Sequence, residues 1–375
     1  MAELEGTLRM TIAYFIASPT WGGGEQYVFD LARHMKAQFG VQPFFLFPPR
    51  SDESMIKRFE EIGVCVVFPY AGKAWRFIPY AGRRMAKILD EHQTDILHIN
   101  SRHTYFMAVW AKRYAKHPFR LLATQHLVRP AKKGRFWEWA YRQIDVLDCV
   151  SRTVKQTYLQ PLGERTVFPE VRVIHNSAPI TREDACVPKQ ESQTVNLLYH
   201  GRICREKGIE QLFEALGKIA DLPFRMTFAG NIDKRDQALW DQLLATCPAR
   251  DKIEHIGFCP DMRAILHKSH VGISPSIARE AGPLAMIEHM AFGLAVITSN
   301  NGSQPEFIQD GVNGLLCPPQ NPQALADALR LLITDAALRR RLGEQAQRDF
   351  FAHHTYDRFI QDMYHLYAEL YEKVL

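Results

Sequence analysis

A pair of glutamates with seven residues between them, Glu280 and Glu288, is the most informative feature of the sequence. An apolar run over 271–276 precedes the pair, Pro283 suits the first position of a helix, and Gly293 suits its C-terminal end. We therefore predict Glu280 on a loop and Glu288 inside the following helix. The backbone amides of residues 281–284 would have no helical carbonyl to bond and could face a ligand. Amide donors beside carboxylates that accept bonds from hydroxyls suit a sugar joined to a phosphate.

A second loop, Gly201-Arg-Ile-Cys-Arg-Glu-Lys-Gly208, has the residues needed to neutralise a diphosphate. It follows an apolar run and precedes a predicted helix. Arg202 offers a planar fork of donors and Lys207 adds a mobile point charge, while the two glycines allow close approach of the backbone. An isolated loop of this kind is more often a solvated turn with surface bases. The nearby glutamate pair favours the phosphate-binding interpretation.

The first half of the chain has two further candidates. Gly22, Gly23 and Gly24 lie between the first predicted strand and the first predicted helix, where they could form a nest of amide donors or leave room for substrate. Glu25 could instead only favour the helix N-terminus electrostatically. His126 follows a predicted strand, the position at which such sheets bind ligands. We interpret His98, also at a strand end, as a hydrogen-bonded histidine without a direct role.

Alternating apolar runs and helical periodicity predict parallel strands joined by helices, and therefore an α/β fold. We predict an N-terminal Rossmann-like domain over 1–180, a linker over 181–193, a C-terminal Rossmann-like domain over 194–352 and a final helix over 353–375. Both domains would be doubly wound, with a cleft between them. Strands are predicted at 8–16, 43–47, 64–68, 95–99, 121–124, 146–150, 171–174, 195–200, 224–229, 253–256, 271–274 and 295–299.

These motifs resemble those of the retaining glycosyltransferases of family 4, which have the GT-B fold. The glutamate pair is similar to the family's E-x7-E motif, Gly201–Gly208 to its G-R-x4-K-G phosphate loop, and Gly22–Glu25 to its G-G-x-E loop. His126 is similar to a histidine that lines the active site, although Leu127 occupies a position where the family often has glycine or an acid. The resemblance also implies that the last helix packs back on the first domain.

The resemblance implies transfer of a hexose-type sugar from a nucleotide diphosphate sugar to an acceptor hydroxyl, with retention of configuration. Glu280, Arg202, Lys207 and His126 would be catalytic. Glu280 would bind sugar hydroxyls and Glu288 the ribose. The donor-binding residues would be Gly22, Gly23, Gly24, Arg202, Lys207, Glu280, Ala281, Gly282, Pro283, Leu284 and Glu288. Two alternatives remain open: a sugar-nucleotide epimerase on a GT-B scaffold, and a non-catalytic protein that binds nucleotide sugars or lipid.

The composition is that of a globular protein of two ordinary domains: 375 residues, 46% hydrophobic and 23% charged. No apolar run of about 18 residues suits a membrane span, and the N-terminal residues do not have the pattern of a secretory signal. Seven scattered cysteines without a C-x-x-C pair favour a reducing, cytoplasmic compartment. No D-x-D motif, which could hold a metal ion on a diphosphate, occurs in the sequence, and we therefore expect no metal. We also expect no cofactor, because the nucleotide diphosphate sugar is the substrate.

Positive charge is concentrated in the first half. Residues 1–180 have 25 Lys and Arg against 16 Asp and Glu, a net charge of +9, and residues 181–375 have 21 against 25, a net charge of −4. Bases lie beside aromatic residues at 73–77 and 129–139, which suits the anionic inner face of a cell membrane. No nucleic-acid-binding motif is present. We expect a glycan or glycolipid acceptor such as lipopolysaccharide; the alternative is a solvated basic face.

Overall fold

The computed structural model describes residues 10–16, 18–68, 78–162, 168, 170–186 and 192–374. The chain divides into two compact units. The first comprises Met1–Ile174 together with Phe359–Leu375, and the second comprises His175–Arg358. Each unit is built around one parallel sheet, so the predicted α/β class with two doubly wound Rossmann-like domains is confirmed.

The sheet of the first unit has the strand order β3-β2-β1-β4-β5-β6-β7, and its strand pairings over the described residues are parallel. Most of these strands are apolar and buried because helices cover a parallel sheet on both faces. Its strands are β1 (Thr11–Phe15), β2 (Gln42–Phe47), β3 (Val64–Val67), β4 (Ile96–Ile99), β5 (Arg120–Gln125), β6 (Val146–Cys149) and β7 (Val171–Val173). Its helices are α1 (Gly23–Phe39), α2 (Glu53–Glu60), α3 (Ile78–Glu91), α4 (Tyr105–Tyr114), α5 (Arg135–Tyr141) and α6 (Arg152–Leu159).

The sheet of the second unit has the order β10-β9-β8-β11-β12-β13. Its strands are β8 (Val195–His200), β9 (Phe224–Ala229), β10 (Ile253–Gly257), β11 (Val271–Ser274), β12 (Ala295–Ser299) and β13 (Gly314–Cys317). Strand β13 was not predicted from the sequence, because it is short and begins at a glycine. The helices are α7 (Arg182–Ala185), α8 (Ile209–Lys218), α9 (Gln237–Thr246), α10 (Arg263–Lys268), α11 (Leu284–Ala291), α12 (Pro322–Thr334) and α13 (Ala336–His353). The short α7 lies in the stretch predicted as a linker.

The last helix, α14 (Tyr356–Glu372), belongs to the first unit from Phe359 onward. The ring of Tyr364 stacks on Phe39 of α1 with 3.8 Å between centroids. The guanidinium of Arg172, on β7, pairs with the carboxylate of Glu369 at 2.5 Å. These contacts confirm that the final helix packs back on the first domain.

A chain of buried hydrogen bonds ties α14 to the first sheet. The Thr124 hydroxyl donates to Oδ2 of Asp148 at 3.1 Å, so its oxygen accepts from Nε2 of His98 at 2.8 Å. The other ring nitrogen of His98, Nδ1, then accepts from the Tyr367 hydroxyl at 2.8 Å. Burial lowers the pKa of His98 to about 3 and raises the pKa of Asp148 to about 7. His98 is therefore a neutral core histidine with both ring nitrogens hydrogen-bonded, as predicted, and its lack of a direct role stays a prediction.

In each sheet the strand order reverses beside the first strand of the unit, between β1 and β4 and between β8 and β11. The loops that leave the carboxyl ends of strands on either side of such a point diverge and leave a crevice, where open α/β sheets bind their ligands. The candidate loops over 22–24, 201–208 and 280–284 follow β1, β8 and β11, whereas His126 follows β5, the neighbour of β4.

Candidate active site

In the second unit, the loop after β8 packs closely against the loop after β11. The backbone carbonyl of Glu206 accepts hydrogen bonds from the amides of residues 277 and 278, both at 3.0 Å. Gly208 has a φ of +78°, and a Cβ there would lie 2.0 Å from the carbonyl oxygen of Pro275. Only glycine tolerates both the left-handed backbone and this close approach. These contacts place Lys207 of the first loop beside Glu280 of the second.

One oxygen of the Glu280 carboxylate is held in place, and the other remains available. Nζ of Lys207 and the hydroxyl of Ser276 both donate to Oε1, each at 2.6 Å. The carbonyl of Glu280 accepts from the amide of Ser303 at 2.9 Å, which anchors the backbone. No hydrogen bond from the described residues reaches Oε2. Glu280 lies on the loop as predicted, and Lys207 and Ser276 aim its side chain.

Glu288 lies within α11, as predicted, and its carboxylate is held on one side only. Nε2 of His200, the last residue of β8, lies 2.7 Å from Oε2 of Glu288. Nδ1 of His200 lies 3.0 Å from Nε2 of His289, which is fully buried. In the part of the chain that the structure describes, Oε1 of Glu288 has no hydrogen-bond partner. His200 was not among the predicted site residues, although its place at a strand end was a usable signal.

The start of α11 differs from the prediction. The helix begins at Leu284, so Pro283 is the residue before it rather than its first position. Pro283 has no N–H to offer, and the amide of Leu284 donates to the carbonyl of Gly282 at 3.0 Å. The prediction of four ligand-facing amides over 281–284 was therefore wrong. The amides of Ala281 and Gly282 have no partner among the described residues and remain candidate donors.

Arg202 does not join Lys207 at Glu280. Its guanidinium pairs with Asp233 at 3.2 Å and with Glu206 at 3.6 Å, and half of the side chain is exposed. The expected convergence of the two bases is thus not present in the structure as it stands. Arg202 keeps unused donors because a guanidinium has five N–H groups. Asp233, which lies on the loop after the neighbouring strand β9, was not among the predicted site residues.

At the edge of the first sheet, the three glycines lie where β1 leads into α1. Gly22 immediately precedes the helix, and Gly23 and Gly24 form its first turn. None of the three has a positive φ, so they do not form a left-handed nest. A Cβ on Gly23 or Gly24 would meet no atom of the described chain within 4 Å. The glycines leave open space beside the helix N-terminus, the second of the two options considered for them.

Glu25 is more than a helix-start charge. Its side chain is buried, and burial raises the pKa of its carboxyl, while the amides of Glu25, Ser18 and Gly22 oppose that rise. The carboxylate therefore organises the turn that contains Gly22. We therefore interpret Glu25 as a residue that stabilises the loop conformation and not as one that contacts a ligand.

His126 follows β5 at the same edge. Its Nε2 donates to the amide oxygen of Asn100 at 3.0 Å, and Tyr27 packs edge-on against the ring at 4.6 Å. Burial lowers the pKa of His126 to about 4, so the ring is neutral near pH 7. Since Nε2 holds the proton, Nδ1 is an acceptor without a partner among the described residues. Leu127, the departure from the family pattern, is half exposed.

No cluster of three or more His, Cys, Asp or Glu residues that could hold a metal ion occurs in the described part of the chain. In the same part, no helix is both long and apolar enough to cross a lipid bilayer.

Comparison with known protein families assigns each half of the chain. Residues 21–182 match the model described as Glycosyltransferase Family 4, and residues 183–349 match the model described as Glycosyl transferases group 1. Together the two matches cover most of the sequence. The chain is a glycosyltransferase with the GT-B fold. In this glycosyltransferase, the glycine edge (Gly22–Gly24) lies within the first matched range. The glutamate edge (Glu280 and Glu288) lies within the second.

Individual proteins agree with this assignment. Phosphatidyl-myo-inositol mannosyltransferase of Mycobacterium leprae is 27% identical over 88% of this chain and 89% of its own length. The crystal structure of a glycosyltransferase from Rickettsia africae has a TM-score of 0.82 at 20% identity, covering 96% of this chain and 98% of the other. Anabaena Alr3699/HepE, solved with UDP-glucose, has a TM-score of 0.77 at 17% identity, covering 96% and 100%. At these identities the solved structures support the fold alone.

Proposed function

We propose that this glycosyltransferase moves a hexose-type sugar, with retention and without a metal ion, from a nucleotide diphosphate sugar to an acceptor hydroxyl. One observation supports this above all. Among the described residues, Glu280 and Glu288 each use one carboxylate oxygen for hydrogen bonds and leave the other without a partner, and the amides of Ala281 and Gly282, which lie between them in sequence, are also without one. The two carboxylate oxygens can accept hydrogen bonds from sugar hydroxyls, and the two amides can donate to phosphate oxygens, which matches a sugar joined to a diphosphate.

The diphosphate would be neutralised by positive groups of the protein. Lys207 uses one contact for Glu280, and an ammonium has three N–H donors in all. Arg202, on the same loop, would exchange its exposed contact with Glu206 for a phosphate oxygen. Ala281 and Gly282 would add amide donors close to the start of α11, where the helix dipole favours negative charge. These fixed charges stabilise the departing diphosphate more than the bound donor.

The transfer itself would occur on one face of the sugar. The bond between the anomeric carbon and the phosphate oxygen breaks while the bond to the acceptor oxygen forms on the same face. The acceptor proton passes to the departing phosphate oxygen, so charge and atoms balance without a separate base. Glu280 would hold sugar hydroxyls through Oε2, and Glu288 would hold the ribose through Oε1. In the first unit, the Gly22–Gly24 edge would contact the acceptor, and neutral His126 would offer Nδ1 to a sugar hydroxyl.

Two glutamine substitutions test these roles. Glu280→Gln should reduce turnover with little change in nucleotide affinity, whereas Glu288→Gln should mainly weaken the binding of free nucleoside diphosphate. Binding is measured by titration calorimetry after a thermal-shift panel of nucleotide sugars has found the donor. Glu254→Gln, an exposed strand residue of the same unit, is the matched control. Equal nucleoside diphosphate affinity in the parent and in Glu288→Gln would exclude the ribose role.

Product analysis tests the reaction class. Nuclear magnetic resonance of the product should show the same anomeric configuration as the donor, and an inverted product would contradict the retaining mechanism. Incubation with the nucleotide sugar alone separates a transferase from an epimerase, because an epimerase converts the sugar without an acceptor. Binding of the donor without any turnover would identify a non-catalytic protein.

For the acceptor, we propose a hydroxyl of a cell-envelope glycolipid or polysaccharide, such as lipopolysaccharide, displayed at an anionic membrane surface in the cytoplasm. The supporting feature is the start of α5, where Lys132, Lys133 and Arg135 are exposed and Phe136 is 80% exposed. The tryptophans expected to face the membrane pack instead on neighbouring aromatic side chains, Trp137 on Phe106 and Trp139 on Trp110. Residues 73–77 lie outside the described part of the chain.

Vesicle flotation tests the membrane proposal. Binding to phosphatidylserine vesicles should be measurable at low salt, weaken with added salt and disappear on phosphatidylcholine. Replacing Lys132, Lys133 and Arg135 with Ser should abolish it, and Phe136→Ser should weaken it. Replacing Arg205, Lys234 and Arg235 with Ser, three exposed bases of the second unit, is the charge-matched control. No binding at low salt would leave a solvated basic face.

A further inference from the structure

The imidazole of His289 packs in a space that exists because the neighbouring residue on β11 is a glycine. His289 follows Glu288 on α11, and its ring lies against Gly272 in the middle of β11. A Cβ at position 272 would lie 2.3 Å from Cγ and 2.4 Å from Nδ1 of that ring. Since real Cβ atoms do not approach so closely, any other residue at 272 would displace the imidazole. The glycine, the buried ring and the end of β8 therefore form one packed unit.

The second ring of the pair, that of His200, has a determined direction of hydrogen bonding. Its Nε2 lies 2.7 Å from a carboxylate oxygen of Glu288, and an ionised carboxylate only accepts. Nε2 must therefore be the protonated nitrogen. At the other nitrogen, Nδ1 either accepts from Nε2 of His289 or, in the imidazolium, donates to it across the same 3.0 Å. In both protonation states His200 donates to Glu288.

We propose that His200, supported by His289, is a positioning residue for Glu288. The pair holds Oε2 of Glu288 and thereby aims Oε1, the oxygen that would accept from the ribose hydroxyls. A glutamate one turn into a helix has three rotatable side-chain bonds, and a bond to one oxygen removes most of that freedom before the nucleotide arrives. This inference rests on the ribose role given to Glu288 in the proposed function.

The predicted consequence is selective. Loss of the His200 contact should weaken the recognition of ribose hydroxyls and leave the recognition of diphosphate unchanged, because no hydrogen bond among the described residues joins His200 to Lys207 or to the loop amides. Recognition of the hydroxyls is measured as the ratio of the dissociation constants of a 2′,3′-dideoxynucleoside diphosphate and its parent nucleotide. A carboxylate hydrogen bond to ribose predicts a ratio of about tenfold or more in the unmodified protein.

Two amide substitutions at position 200 form a matched pair. His200→Gln places its side-chain nitrogen near the position of Nε2, where it can still donate to Glu288. His200→Asn is shorter and places its nitrogen near the position of Nδ1, so it keeps a polar contact with His289 and loses the one with Glu288. Titration calorimetry with UDP, GDP and ADP, each beside its 2′,3′-dideoxy form, gives the ratio for every variant.

The ratio should fall to about twofold or less in His200→Asn and in Glu288→Gln, and remain near the parental value in His200→Gln. The double variant should resemble Glu288→Gln alone. A parental ratio in His200→Asn would overturn the inference while leaving the proposed function intact. Equal weakening of both nucleotides would also overturn it, since that indicates a role in folding only. If the parent binds none of the three nucleotides, the proposed function fails, and the inference fails with it.

A spectroscopic measurement needs no substitution at position 200 and covers the case in which His200→Asn does not fold. In the ¹⁵N-histidine-labelled parent protein, the Nε2 proton of His200 should be protected from exchange with solvent, and Glu288→Gln should shift its resonance. A rapidly exchanging His200 Nε2 proton in the folded parent would overturn the inference.

Discussion

Two histidines at strand ends, one in each unit, have opposite surroundings. His98 of the first unit is completely buried, and its hydrogen-bond chain runs from Tyr367 through Thr124 to Asp148 without reaching solvent. His200 of the second unit begins its chain at buried His289 and ends it at Glu288, whose side chain is 27% exposed. The residue type and the position in the strand are similar, and the difference lies in the group on which each series of hydrogen bonds ends.

The difference separates stability from binding. When every hydrogen bond of a buried series is made inside the protein, all of them contribute to stability, and removing one member leaves a buried group unpaired. When the series ends on a carboxylate with only one bonded oxygen, the second oxygen can accept a hydrogen bond from a ligand. We therefore expect changes around His98 to lower the free energy of unfolding, and changes around the glutamate edge to alter nucleotide binding and turnover.

The largest expected effect is at the glutamate edge. Lys207→Ala should reduce turnover by about 10²–10³-fold, because it removes one preorganised charge from the departing diphosphate and one donor from Glu280. The melting temperature should change little. Steady-state kinetics of the transfer reaction measure the effect, and Arg205→Ala, an exposed base of the same loop that pairs with Glu210, is the control. Near-parental turnover in Lys207→Ala would contradict the proposal that the glutamate edge acts in binding and turnover whereas the surroundings of His98 act in stability.

The next effect is a pH dependence of stability in the first unit. Burial raises the pKa of Asp148 to about 7, whereas an unfolded aspartate titrates near 4. Between these values the folded state binds the proton more tightly, so this group lowers the free energy of unfolding as pH rises. His98, with its pKa lowered to about 3, acts in the opposite direction between pH 3 and its unfolded value near 6.5.

Asp148→Asn removes the first of these contributions. The unfolding free energy of the variant minus that of the parent should increase between pH 5 and pH 8, by on the order of 2–3 kcal/mol. Urea unfolding followed by tryptophan fluorescence measures it, because of the six tryptophans only Trp240 lies in the second unit. A difference that does not change with pH would mean that Asp148 is already ionised at pH 5 in the folded state.

A smaller effect is expected at the helix end of the same chain. Tyr367→Phe leaves Nδ1 of buried His98 without its donor, and should lower the free energy of unfolding by about 1–2 kcal/mol. Nucleotide affinity should be unchanged. Tyr364→Phe on the same helix is the matched control, since that ring stacks on Phe39 and its hydroxyl has no bond to the described residues. A loss of nucleotide affinity in Tyr367→Phe would show that the two regions are coupled.

The smallest expected effect is none at all. Turnover should survive an excess of chelator, because Lys207, Arg202 and the loop amides would supply the positive charge that a cation would otherwise provide. Complete loss of turnover in chelator, with recovery on addition of magnesium or manganese, would contradict this expectation and would shift attention from Lys207 to an ion held with the donor.

Much of this architecture was predictable from local pattern. Each apolar run taken as a strand overlaps one, and Glu280 and Glu288 lie on the loop and the helix assigned to them. What escaped prediction depends on partners distant in sequence. His200 meets Glu288 across 88 positions, and Arg202 meets Asp233 across 31, because the strand order brings the elements that hold them together. Hydrophobic periodicity specifies which face of an element is buried, but not which loops become neighbours.

Exposure of single residues also escaped prediction. The segment 129–139 is basic and aromatic, but its two tryptophans pack on neighbouring rings, and Phe136 is the aromatic side chain that is exposed. The short α5 rotates adjacent residues by about 100° each, so one residue in the sequence decides between core and solvent. Such a choice depends on where the helix begins, and the ends of elements are the least predictable part of a fold.

The return of α14 to the first unit has a consequence for synthesis on the ribosome. His98 and its partner Tyr367 are separated by 269 positions, so the N-terminal unit lacks its last helix until nearly the whole chain has been translated. At typical rates of elongation this delay is on the order of 10–50 seconds. All of the second unit, residues 175–358, is translated before residues 359–375, which complete the first unit. We therefore expect the unit that is translated first to finish folding last.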